Sequence, residues 1–90
     1  MSTPSSVVAQ LNNVMAIVQI FPDVISAGVD VYAHGNIQVQ AKYLDTIHQI
    51  IDLDGMQTTV HTGPEGRETN IHTAPTKAFP KVKITWVTAA

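Results

Sequence analysis

Ninety residues bound the chain to one domain, since single domains commonly run about 100–150 residues, and the absence of cysteine excludes disulfides, thiol catalysis and cysteine zinc sites. Only 13% of the residues are charged, where roughly 25% is usual, yet 44% are apolar, which excludes a disordered chain. A net charge of −2 supplies no general attraction to nucleic acid or anionic lipid.

Met1 to Ser6 carries no Lys or Arg ahead of the first apolar stretch, so no signal-peptide pattern is present. Val7 to Phe21 is interrupted by Gln10, Asn12, Asn13 and Gln19, and spanning a bilayer takes about 20 apolar residues. We therefore expect a cytoplasmic protein with no membrane partner. Thr3-Pro4-Ser5-Ser6 is helix-start chemistry, with Thr3 as cap and Pro4 at the first helical position, or Ser5 or Ser6 capping one turn later. Val7, Leu11, Val14, Met15 and Val18 recur at helical spacing and predict the buried face. Ile17 and Ile20 fall off that stripe. Pro22 cannot continue the helix, which is expected to end near Ile20.

From Val24 the period changes to two. Ile25, Ala27, Val29, Val31 and Ala33 alternate with Ser26, Gly28, Asp30 and Tyr32, and after His34-Gly35-Asn36 the alternation resumes with Ile37, Val39 and Ala41. Matching the faces predicts a three-residue loop that pairs Ala33 with Ile37, Val31 with Val39 and Val29 with Ala41. In that loop Asn36 would take the left-handed conformation, and Gly35 is a candidate for positive φ. A second helix is predicted from Tyr43 to Leu53, with Leu44, Ile47, His48 and Ile51 on one face and Gly55 as a left-handed cap. Met56, Thr58 and Val60 begin another strand, and Gly63-Pro64-Glu65-Gly66 is turn chemistry. Thr69, Ile71 and Thr73 form its return. The last strand places Val82, Ile84 and Trp86 on one face, so Trp86 is expected in the core.

The predicted order is α-β-β-α-β-β-β. It describes a single α+β domain, residues 1–90, in which an antiparallel sheet carries two helices on one face. Residues 5–41 and 42–74 read as two helix–hairpin units offset by about 33–34 residues, followed by a terminal strand over 81–88.

Four histidines are the first candidates for chemistry. With a two-residue Glu65-Gly66 turn, Val60 faces Ile71 and His61 faces Asn70, and His72 is assigned to the side of Val60; one more loop residue flips these relations. Metal sites need about three or four converging ligands, and neither H-x-x-x-H nor H-E-x-x-H occurs, so no metal and no cofactor is expected. Asp45 and Asp52 are placed on one side of the second helix as a solvated edge, and Glu65 and Glu68 at a hairpin tip. G-x-S-x-G, G-x-G-x-x-G and Walker patterns are all missing, so no enzyme is expected. Gly28 inside a strand suggests a bulge. Lys77, Lys81 and Lys83, near Phe79 and Trp86, form a short basic stretch that could hold a single strand of nucleic acid by charge and stacking. Three lysines in an acidic chain are few, and the favoured reading is that Lys81 and Lys83, on the outer face of a terminal strand, guard a sheet edge against stray pairing.

Residues 1–22 contain no charged side chain. Exposed helices on monomers usually carry charge opposite their core stripe, and interface cores are depleted in it. Asn13, Ala16, Ile17 and Ile20 are therefore the expected contact with a second copy, in a homodimer.

From Val29 to Thr88 the layout resembles small uncharacterised proteins of actinobacteria and their bacteriophages. The likeness rests on the turn Ala33-His34-Gly35-Asn36, the strand Ile37-Gln38-Val39, the helix stop Asp54-Gly55, a polar hairpin and the last strand Val82-Lys83-Ile84-Thr85. It implies no activity and no site residues, and the charge-free helix lies outside it. For a phage-encoded chain, the expected compartment is the host cytoplasm. The function expected from all this is a non-enzymatic, homo-oligomeric protein-binding module that acts on an unidentified partner through its charge-free helix and a sheet edge. A nucleic-acid accessory using Lys77, Lys81 and Lys83 is the second reading, and a metal-dependent enzyme built on His61 and His72 the third.

Overall fold

Pro4 opens α1 (Pro4–Val18), its fixed φ suiting a first helical position, in the computed structural model, which describes residues 4–89. The Thr3 cap lies outside the described residues. The helix already runs through Ser5 and Ser6, so neither is the cap. The alternating segments form β1 (Ser26–Val29), β2 (Gly35–Gln38), β3 (Gln57–Thr62), β4 (Glu68–Pro75) and β5 (Val82–Ala89). A 3-10 turn, Ala41–Tyr43, leads into α2 (Leu44–Ile50), and a second, Leu53–Gly55, follows it. The class is α+β, and both helices contribute to a core with Ile37, Val39, Val82, Ile84 and Trp86 on one face of the sheet.

The sheet runs β1-β2-β5-β4-β3 and is mixed, not antiparallel throughout: β2 and β5 are parallel, and every other seam is antiparallel. Period-two alternation tells which side chains share a face but carries no strand direction. The last strand enters between the two hairpins, so β5 has β4 along one side and, over Val82–Thr85, β2 along the other. Lys81 and Lys83 therefore guard no edge; the edges are β1 and β3.

The first hairpin pairs Val29 with Gly35 and Ala27 with Ile37, around the loop Asp30-Val31-Tyr32-Ala33-His34. This is not the predicted register, and the side chain of Asp30 explains the difference. Its Oδ1 accepts from Tyr32 N–H at 2.8 Å and His34 N–H at 3.0 Å, centring the turn on Tyr32, about three residues earlier than face-matching does. Ala33, not Asn36 or Gly35, takes the left-handed conformation, with φ 61°. Its carbonyl accepts from Gln10 Nε2 at 2.8 Å, so α1 holds the loop in place. Gly63-Pro64-Glu65-Gly66-Arg67 repeats the design: Gly66 N–H bonds Gly63 O as Ala33 N–H bonds Asp30 O, and Gly66 has φ 78°.

These bonds hold the Asp30 carboxyl below its ordinary value of 3.8, the His34 backbone N–H contributing most. Asp30 thus contributes stability above that value and loses it as pH falls through its lower folded value. Asp30→Ala is expected to lower the melting temperature at neutral pH and to flatten the acid limb of the melting curve down to about pH 2. An acid limb unchanged from the wild type would contradict this.

α1 is rotated from its expected orientation. Val14, Ile17 and the following Phe21 are buried with Gln10, while Leu11 and Met15 face outward. An uncharged helix offers two apolar stripes, and spacing alone does not choose between them. Gln10 settles the choice by reaching the Ala33 carbonyl, while its Oε1 accepts from Asn13 Nδ2 at 2.8 Å. α2 stops at Ile50, short of Leu53, because Ile51 turns extended and bridges to Thr76. Gly55 has no positive φ; a Cβ there would sit 2.8 Å from Pro75 Cγ, so close approach accounts for it. β1 pairs continuously through Gly28, and there is no bulge.

Candidate functional site

The helices cover one side of the sheet. On the other side Asn36, Thr85 and Thr73 form a row: Thr85 Oγ1 donates to Asn36 Oδ1 at 3.2 Å, and the two threonine hydroxyls lie 3.3 Å apart. With Gly28, Lys81 and Lys83 they line a shallow depression of about 820 Å³. It can offer hydroxyl, amide and ammonium groups to a polar ligand, with the Asp30 carboxylate and His34 imidazole at its rim, and no Phe, Tyr or Trp ring lines it.

Lys81 and Lys83 meet here, but Lys77 does not. Its backbone N–H is tied to Ile50 O, beside α2. Trp86 is 2% exposed and lies on the opposite face from Lys83, so it cannot stack on a base held by these lysines. The core position expected for Trp86 is the observed one.

The histidines scatter. His34 Nδ1 is 3.5 Å from Asp30 Oδ2 at the first hairpin. His48 meets Trp86 edge-on, with centroids 6.4 Å apart. The second hairpin pairs Val60 with Asn70 and His61 with Thr69, one residue away from the register derived with a two-residue turn, because the loop is longer. It is this register, with Val60 opposite Asn70 and not Ile71, that puts His72 on the side of Val60; His61 points to the other face, so the pair cannot converge on one ion. His72 stacks on Trp86 at 5.3 Å, and its Nδ1 and Nε2 are engaged by the hydroxyls of Thr58 at 2.9 Å and Thr88 at 2.8 Å. This Thr58–His72–Thr88 row across three strands becomes visible only once the strand registers are known. Asp52 lies beyond α2, where it caps the next turn by accepting from Asp54 N–H at 3.1 Å, and so does not share a helix side with Asp45. Among the described residues no three His, Asp or Glu side chains are placed to hold a metal ion.

Of the expected dimer contact, Ile17 is 4% exposed and packs in the chain's own core, which removes it from any surface. Asn13 is half-buried, while Ala16 and Ile20 are exposed. The outward stripe of α1 is instead Val8, Leu11 and Met15, 57%, 43% and 53% exposed, with Asn12 and Gln19 beside them. A second surface escaped the sequence reading: every residue of β3 is exposed, and among the described residues no strand lies on its other side. Its signal was legible as the run Gln57-Thr58-Thr59-Val60-His61-Thr62, a strand without charge or proline.

Comparison with protein-family models, curated proteins and solved structures gives no match. Among the described residues no helix is long and apolar enough to cross a membrane.

Proposed function

We propose that the chain is a non-enzymatic protein-binding module, homo-oligomeric and cytoplasmic, that docks on a partner protein through the outer face of α1. The observation that supports this reading is the stripe of Val8, Leu11 and Met15, left in water on a helix that carries no charge on any side. A partner with a complementary apolar groove would cover it as helix-in-groove complexes do, reading side chains at i, i+3 and i+7. Leu11→Glu is the test, since Leu11 lies outside the core and a surface substitution typically moves stability by only about 0.5 kcal/mol. Immobilised wild-type protein is expected to retain a stoichiometric partner from the native host that the Leu11→Glu column loses. Equal retention by both columns, with both proteins folded, would exclude the α1 surface.

A further inference from the structure

We infer that β3 is a self-pairing edge, through which two copies of the chain join their sheets antiparallel about a two-fold axis at Val60. This deepens the homo-oligomeric reading by naming the surface that meets a second copy, and it rests on that part of the reading, not on the α1 surface.

The argument begins with backbone parity. Gly63 N–H bonds Arg67 O at 2.7 Å and closes the hairpin. Counting back along the ladder, His61, Thr59 and Gln57 turn their backbone groups toward β4, and Thr58, Val60 and Thr62 turn theirs outward. β3 therefore presents three consecutive outward donor–acceptor positions in a continuous register. Natural edges are usually blunted by lysine, proline, bulges or shortness, and β3 has none of these along its 6 residues. β1, the other edge, is shorter at 4 residues and lies against α1.

The second step is symmetry. A two-fold axis normal to the sheet reverses strand direction and keeps each face on its own side, so outward residues pair with outward residues. Centred on Val60, it sets Val60 against Val60 of the second copy and Thr58 against the second copy's Thr62. Such narrow pairs make about six interstrand hydrogen bonds. Val60, 57% exposed in one chain, is the one aliphatic side chain of the strand, and this register covers it with its own copy. Thr58 and Thr62 form cross-strand threonine pairs on the helix side, and Thr59 lies opposite the second copy's His61 on the other. No like charges oppose each other within the pairing. Every pair across the axis, Val60 with Val60, Thr58 with Thr62 and Thr59 with His61, is compatible in size and charge, and this self-complementarity is what an isologous contact requires.

Edge pairing alone covers less than the roughly 1,200 Å² of a standard interface, so association in the micromolar range is expected. Sedimentation equilibrium of the full chain at micromolar concentrations should give a dimer for wild type and a monomer for Val60→Lys, which sets two ammonium groups together at the axis. Unchanged circular dichroism and tryptophan emission would show that Val60→Lys still folds. Because the chain has no cysteine, Val60→Cys reports geometry directly: narrow pairs hold their Cα atoms about 5.5 Å apart, within disulfide reach. Mild oxidation should crosslink Val60→Cys into dimers and leave Ser26→Cys, on the β1 edge, monomeric. A monomeric wild type, a Val60→Lys variant with the mass of a dimeric wild type, or equal crosslinking at Ser26 would each overturn the assignment. A dimer lost in Leu11→Glu but kept in Val60→Lys would likewise overturn it and move self-association to α1. Partner retention that survives in Val60→Lys and fails in Leu11→Glu tests the α1 surface separately.

Discussion

Trp86→Ala is expected to cost about 3–5 kcal/mol, the range for losing a large buried aromatic. Trp86 is the largest fully buried side chain, and it lies where both halves of the molecule meet. On β5 it shares a face with Val82 and Ile84, and it packs in one cluster with Ile37 of β2, Ile47 of α2 and Ala74 of β4. His72 covers it at 5.3 Å and His48 closes its edge at 6.4 Å, so the substitution also leaves two imidazoles without their apolar support. Domains this size are stable by roughly 5–15 kcal/mol, so the variant should sit near the unfolding threshold at body temperature. Urea unfolding followed by circular dichroism measures the loss; a cost under about 1 kcal/mol would contradict the core position. The wild type carries a single tryptophan, so its emission should be blue-shifted natively and move to the red in one step on unfolding.

The sequence made the elements and their faces legible wherever a face had to be buried. Val82, Ile84 and Trp86 alternate because one side of β5 is core, and Gly63-Pro64-Glu65-Gly66 turns because proline and glycine leave the backbone few other choices. What stayed illegible was set by contacts between distant segments. Face-matching misplaces the first hairpin because it has no view of the Asp30 carboxylate capping two backbone N–H groups. The face of α1 depended on a single amide, Gln10, finding the carbonyl of Ala33, which lies 23 residues away in sequence. The interface drawn from Ile17 fell with it. The parallel seam between β2 and β5 was hidden because alternation reads the same in either direction. The uncharged edge at β3 was written in the sequence, but its meaning depended on strand order, which local pattern does not contain.

Gly35→Val is the second substitution expected to have a large effect, about 3 kcal/mol or more, and its cause is packing. Gly35 has no positive φ; among the described residues only Ala33 and Gly66 do. It is the first residue of β2, beneath α1, where a Cβ would lie 2.7 Å from Val14 Cγ2 and 3.0 Å from Val82 Cγ2. Both neighbours are core residues, so neither can swing away, and valine would add two further methyl groups to the same space. Conformational strain and crowding make different predictions for the smaller substitution. If strain were the cause, Gly35→Ala would cost the same whatever residue occupies position 14. If crowding is the cause, Val14→Ala opens room for the new methyl, and the double variant should be less destabilised than the sum of the two singles. A double-mutant cycle by urea unfolding should show favourable coupling of about 0.5–3 kcal/mol between the positions. Strict additivity would mean that α1 does not press on Gly35, and the packing of helix on sheet described for this end of the molecule would have to be redrawn.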